Sequence, residues 1–95
     1  MKIIKRNGSE AVFDISKIIA AVTKANNVVA SNQRLTKEQI TAIADDVAQE
    51  CQSRNHAMNV EEIQDLVEDA IMQTNAYEVA RKYITYRYVQ SLNST

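Results

Sequence analysis

A chain of 95 residues with no proline and a single glycine has few places at which a helix can be interrupted. Proline removes an amide donor from a helix interior, and glycine costs ~1 kcal/mol of helix stability relative to alanine. Their near absence predicts long helices and few turns. The one glycine, Gly8, must then stand where the backbone demands it. It follows Asn7, and Asn-Gly is the strongest short hairpin signal, because a type I′ turn takes both central residues to positive φ. Ile3 and Ile4 lead into this turn, and Glu10 to Phe13 supply the return strand. A lone hairpin is marginal in water, so its apolar face must pack on the helices that follow.

Four helices can be placed after it. Asp14 can cap a first helix, Ile15 to Val28, whose Ile15, Ile18, Ile19 and Val22 fall on one face. Ala30 to Leu35 reads as a loop. Thr36, with Gln39 three residues on, forms a capping box for a second helix, Lys37 to Ser53, with Ile40, Ile43, Val47 and Cys51 along its apolar stripe. Arg54 to Met58 reads as a connector. Asn59 can cap a third helix, with Glu61 and Glu62 near the positive end of its dipole and Ile63, Leu66, Val67, Ala70 and Ile71 facing inward. Thr74-Asn75 separates it from a fourth, Ala76 to Leu92. The expected fold is α+β and mainly α, a β-hairpin packed on about four helices, with residues 1–95 as one domain. A hydrophobic content of 45% is ordinary for one modest core.

The net charge of −1 hides an asymmetry. Residues 1–40 carry seven Lys/Arg and three acids; residues 41–80 carry one Arg and nine acids; residues 81–95 carry three bases and no acid. If the two basic ends meet, they form one positive site on an acidic body, suited to a small polyanion. Ordinary scatter of surface charge is the other reading. A broad basic face and a basic recognition helix are missing, which argues against direct DNA binding. No 18-residue apolar run points to a membrane span, and the N-terminus does not read as a signal peptide. The lone Cys51 excludes an internal disulfide and a multi-cysteine zinc site, and fits a reducing cytoplasm. On the apolar stripe of the second helix it reads as core, as do Met58 and Met72. His56 stands alone, so no metal site is expected. No nucleophile–base pair or Walker-type sequence suggests catalysis. Glu61, Glu62, Asp65, Glu68 and Asp69 read as a solvated helix face.

The residues that point to chemistry come first in the chain. Lys5 and Arg6 stand immediately before the turn, and Lys17 stands in the first turn of the first helix. Arginine offers forked donors to phosphate, lysine a point charge, and turn amides around Gly8 add further donors. The same Lys and Arg could equally guard an edge strand against pairing with other chains.

The order of segments then becomes informative. Ile3-Ile4-Lys5-Arg6-Asn7-Gly8, followed by Phe13-Asp14 and Ser16-Lys17-Ile18, resembles the start of the ATP-cone domain. Val60 to Glu68 is similar to that family's third helix, and Ala80-Arg81-Lys82-Tyr83-Ile84-Thr85-Tyr86-Arg87 to its closing stretch. The resemblance covers nearly the whole chain. It implies a nucleotide-binding regulatory module with no catalytic residue. Ile3 would pack against adenine or ribose. Lys5, Arg6 and Lys17 would hold phosphates around Gly8, and Asp14 would cap the helix near the base. Gln64 would meet the ligand from the third helix, and Arg81, Tyr83 and Arg87 would close over it. The effector implied is ATP or dATP with magnesium. Ala11 stands where several members have Glu, and Gln64 where some reductases have His, which leaves ATP-versus-dATP discrimination open.

The parent implied is a cytoplasmic ribonucleotide reductase. Its catalytic domain would be the partner and self-association a further outcome. The closing stretch and Val60 to Gln64 look most like the anaerobic ribonucleoside-triphosphate class. The reductase-gene repressor, which places a zinc ribbon before its cone, fits less well with one cysteine and a hairpin at Met1. A helical protein-interaction module without nucleotide is the rival from another class.

Overall fold

The computed structural model describes residues 1–93, with side chains through residue 90. The expected end of the domain, residues 94–95, lies outside the described residues. Four helices carry the chain: α1 Ile15–Asn26, α2 Lys37–Ser53, α3 Val60–Gln73 and α4 Tyr77–Asn93. Three short strands, β1 Lys2–Ile4, β2 Glu10–Val12 and β3 Met58–Asn59, form one sheet in the order β2-β1-β3. The α+β, mainly α architecture agrees with the sequence reading.

The hairpin forms with Lys2, Ile3 and Ile4 opposite Val12, Ala11 and Glu10. Its turn differs from the expected type I′. Gly8 lies at φ +86°, but Asn7 is not in the positive-φ region. Lys5 N–H donates to the Ser9 carbonyl at 2.8 Å, and Gly8 N–H to the Lys5 carbonyl at 2.9 Å. These bonds enclose a loop of Arg6, Asn7 and Gly8, the longer hairpin type in which one glycine takes the left-handed position. Asn7 contributes through its side chain instead, accepting from Ser9 N–H at 3.0 Å and Ser9 Oγ at 2.7 Å.

The third strand also departs from the sequence reading, which makes Arg54 to Met58 a connector. Met58-Asn59 runs parallel to β1, with Met58 opposite Ile3 and Asn59 opposite Ile4. The strand covers the edge of β1 that the hairpin leaves unpaired. Met58 is fully buried, while Met72 is 45% exposed and does not join the core.

α1, α2 and α3 each start on a side-chain cap. Asp14 Oδ1 accepts from Ser16 N–H at 3.0 Å. Thr36–Gln39 and Asn59–Glu62 both form reciprocal capping boxes. α1 stops at Asn26, two residues short of the expected Val28. There the buried Asn26 side chain donates to the Leu35 carbonyl at 3.0 Å and accepts from Leu35 N–H at 2.7 Å, tying the loop to the helix end. Asn75, at φ 66°, separates α3 from α4.

α1 and α3 each pack on α2 and α4. The core joins Ile18, Val22 and Ala25 of α1, Ile43, Val47 and Cys51 of α2, Ile63, Val67 and Ile71 of α3, and Val79 and Tyr83 of α4. Each fully buried aliphatic side chain contributes roughly 1.5–3 kcal/mol. Burial pushes the Cys51 thiol up, as befits a packing residue. Ile3 and Phe13 of the hairpin pack against this core from outside. The hairpin is thus held beside the N-terminal half of α3.

Candidate functional site

The turn that follows β1 lifts Arg6 over α3. Arg6 Nε donates to Glu61 Oε1 at 2.8 Å, and its Nη2 donates to Gln64 Oε1 at 2.9 Å. The other oxygen of Glu61 accepts from Arg87 Nη2 of α4 at 2.7 Å. Arg87 Nη1 donates to Asp65 Oδ1 at 2.8 Å and to Glu68 Oε1 at 2.6 Å. Two arginines from opposite ends of the chain therefore meet on one helix face. Residues 61, 65 and 68 share that face because helix positions three and four apart are neighbours.

This refines the reading of the α3 acids as a solvated face: Glu61, Asp65 and Asp69 are exposed, but part of the face is tied to the arginines. Glu61, Asp65 and Glu68 turn toward Arg87, whose side chain is only 14% exposed. Glu62 is used differently: it closes the Asn59 cap and meets His56 Nε2 at 2.9 Å. The meeting of the chain ends is also not a bare positive patch, since the acids between them serve as counter-ions.

The electrostatics follow. Hydrogen bonding from Arg87 holds the Glu61 carboxyl below its ordinary value, with the Arg6 charge adding to the effect. Burial alone would lower the Arg87 guanidinium, but the hydrogen bonds it donates to Asp65, Glu61 and Glu68 raise it above its usual range. Burial pushes the neighbouring Tyr83 hydroxyl up to about 12. Arg87 stays charged, and Tyr83 stays neutral, at any physiological pH.

Gln64, Tyr83 and Arg87 also line a cavity of about 110 Å³ between α1, α3 and α4. Lys24 and Tyr86 line it too, with the Lys24 ammonium 4.9 Å from the Tyr86 ring centroid. Such a cation–π contact is worth about 0.5–1 kcal/mol at an exposed site. A larger groove of about 480 Å³ runs between α2 and α3. Its charged lining is Asp46, Glu50 and Asp69, with no Lys or Arg, so it would repel a polyanion.

The structure thus gathers Arg6, Gln64, Tyr83 and Arg87. Lys5 and Gly8 stay exposed on the hairpin, and Lys17 is exposed in the first turn of α1. Neither lysine side chain has a hydrogen bond or ion pair among the described residues. Ile3 is half-buried against the core, opposite the half-buried Ala11. Asp14 is occupied as a cap, its carboxyl lowered first by the Ser16 hydroxyl and then by the Ser16 amide. Arg81 stands apart: it pairs with Glu78 at 2.7 Å and its side chain is 73% exposed. Six residues separate it from Arg87, about 240° around a helix, so the two address different surroundings. Sequence reasoning did not single out Lys24, and it named Glu61 only as part of the acidic face of α3. The 61/65/68 spacing shows that the acids share a face, but not that an arginine of α4 lies over it.

A family model described as the ATP cone domain matches residues 1–92. The chain belongs to the ATP-cone domain family. This ATP cone is 37% identical over 91 residues to an anaerobic ribonucleoside-triphosphate reductase of Haemophilus influenzae, covering 95% of this chain and 12% of that protein. It is 30% identical over 95 residues to the alpha subunit of a ribonucleoside-diphosphate reductase of Chlamydia trachomatis, covering 92% of this chain and 9% of that protein. A vitamin B12-dependent ribonucleoside-diphosphate reductase of Thermoplasma acidophilum is 34% identical over 91 residues, covering 90% of this chain and 11% of that protein. The cone therefore spans only about a tenth of the length of these relatives. No helix among the described residues is long and apolar enough to cross a membrane.

Proposed function

We propose that this ATP cone binds ATP or dATP as an allosteric effector and regulates a ribonucleotide reductase, the anaerobic ribonucleoside-triphosphate type, from residues 1–95 as one non-catalytic domain. The observation that carries the reading is the convergence of Arg6, Gln64 and Arg87 beside the cavity lined by Tyr83, Lys24 and Tyr86. The exposed Lys5 and Lys17 stand ready for phosphate on the same hairpin and on the first turn of α1. A cavity of about 110 Å³ is smaller than the ~300 Å³ of the smaller ligand pockets. A nucleotide would therefore lie across its mouth, its triphosphate along the hairpin and its base toward Ile3 and the α4 tyrosines. Arg81 would join only after leaving Glu78.

Among the described residues no group of three or more His, Cys, Asp or Glu is placed to hold a metal ion. Magnesium would accompany the triphosphate, ligated by phosphate oxygens and water. The regulation is then a coupling of sites: a nucleotide shifts the reductase only by binding one of its states better than another. Tyr77, Ile84 and Tyr88 leave an exposed apolar stripe on α4. It supports contact with the catalytic domain of the parent or with a second copy. The buried, unpaired Cys51 is in keeping with a cytoplasmic setting.

Calorimetric titration with ATP and with dATP tests the reading. Heat that saturates with either nucleotide is expected. No binding of either at millimolar concentration would overturn it in favour of a protein-interaction module. Size-exclusion chromatography with each nucleotide then reads the oligomer formed.

A further inference from the structure

Arg6 offers a forked guanidinium, the group best shaped to hold a phosphate. One side of that fork is already engaged within the fold. Its Nε faces Glu61 Oε1 at 2.8 Å and its Nη2 faces Gln64 Oε1 at 2.9 Å. The Arg6 side chain is 23% exposed, so this is a docked arm. Glu61 is shared: its second oxygen is 2.7 Å from Arg87 Nη2, and Arg87 is anchored by Asp65 and Glu68. One carboxylate thus connects the hairpin to α4. Glu61 can release Arg6 and keep a charged partner, whereas Arg6 released from Glu61 needs a new anion.

We infer that Glu61 is a built-in competitor for the phosphate of the nucleotide: its carboxylate occupies Arg6 until a phosphate displaces it. The inference rests on the nucleotide-binding reading above and extends it to the regulation of that site. Displacement leaves Glu61 wholly to Arg87, tightening α4 on α3 while the hairpin turns to the ligand. The competition lowers affinity, and it couples occupancy at the hairpin to the packing of α4. Gln64 has no charge and bonds the Arg6 fork without competing for its cation. It therefore guides the arm, whereas Glu61 sets the cost of freeing it.

The test is a double-mutant cycle on the whole chain, read by calorimetry with ATP and dATP. Glu61→Gln keeps the shape and removes the charge. It should tighten triphosphate binding about two- to fivefold, the range spanned by an exposed ion pair. The gain should vanish in an Arg6→Gln background, where no arm remains to be released. Hydrogen exchange adds a second readout. Nucleotide should slow exchange at the amides of α4 in the wild type and much less in Glu61→Gln. A Glu61→Gln chain that binds as the wild type does, or more weakly, or that gains equally without Arg6, would overturn the inference while leaving nucleotide binding intact. Absence of binding by both wild type and Glu61→Gln would overturn the nucleotide reading, and the inference with it. Glu61 is 52% exposed, so the substitution leaves the core untouched, and a melting curve for each variant verifies this.

Discussion

Replacing Arg87 with methionine preserves most of the side-chain bulk and removes the charge that three carboxylates share. Asp65 and Glu61 are 68% and 52% exposed, so each pair with Arg87 is worth about 0.2–1 kcal/mol. Glu61 also keeps Arg6, which puts its loss at the lower end. Glu68 is 22% exposed and lies 2.6 Å from Nη1, where a charge-assisted hydrogen bond is worth about 1.5 kcal/mol. Together the loss is about 2 kcal/mol, or a fall of about 8–16 °C in Tm for a domain of this size. Circular dichroism melts across a pH series measure it, and the pH series supplies the sign. The Glu61 carboxyl is held below its ordinary 4.5, first by the hydrogen bond from Arg87. Its contribution is therefore fully present above 4.5 and lost as pH falls through the lowered native value. The wild-type advantage over Arg87→Met should be full near neutrality and shrink in acid below that range. A difference below about 2 °C at neutral pH, or one that stays constant into strong acid, would refute the claim that this network clamps α4 to α3.

Three further outcomes are expected. Lys5→Ala with Arg6→Ala should cut triphosphate affinity at least tenfold by calorimetry, while stability falls by no more than the ~1 kcal/mol of the Arg6 ion pair; a large Tm loss with little change in affinity would make the pair structural. Gly8→Ala should lower stability by about 1 kcal/mol through its φ of +86° alone, since nothing lies within 4 Å of the added carbon, and Gly8→Asn should lose less in the same melts. Met58→Ala should cost about 2–5 kcal/mol, because the side chain is fully buried, and should speed hydrogen exchange at β1 as the strand pairing loosens.

The helices were legible because their information is local. Apolar residues at helical spacing, the Thr36–Gln39 box and the caps Asp14 and Asn59 all lie within a few positions of the structure they specify. The hairpin was legible for the same reason, yet its turn type was not. Asn-Gly marks a reversal, whereas the loop length follows from the pairing of Ile4 with Glu10. β3 was illegible because two residues carry no period, and the partner that makes Met58-Asn59 a strand stands more than fifty residues away in the sequence. The candidate site divides along the same line. Lys5, Arg6 and Lys17 could be named from the chain's beginning, but the role of Glu61 depends on how α4 lies over α3.

That dependence changes what the charge asymmetry means. Summed by segment, the two basic ends promise a strongly positive site. In the fold, Arg6 and Arg87 meet on Glu61, Asp65 and Glu68, so the acidic middle supplies the counter-ions of the basic ends. Among the described residues Lys5 and Lys17 make no side-chain hydrogen bond or ion pair, while both arginines already hold acids that an incoming anion would compete with. Affinity in such a site is a difference between two anions competing for the same cations. A regulatory domain benefits from that arrangement. A bare cluster of cations would bind any polyphosphate and report little, whereas an exchange at Glu61 converts occupancy at the hairpin into a change at α4.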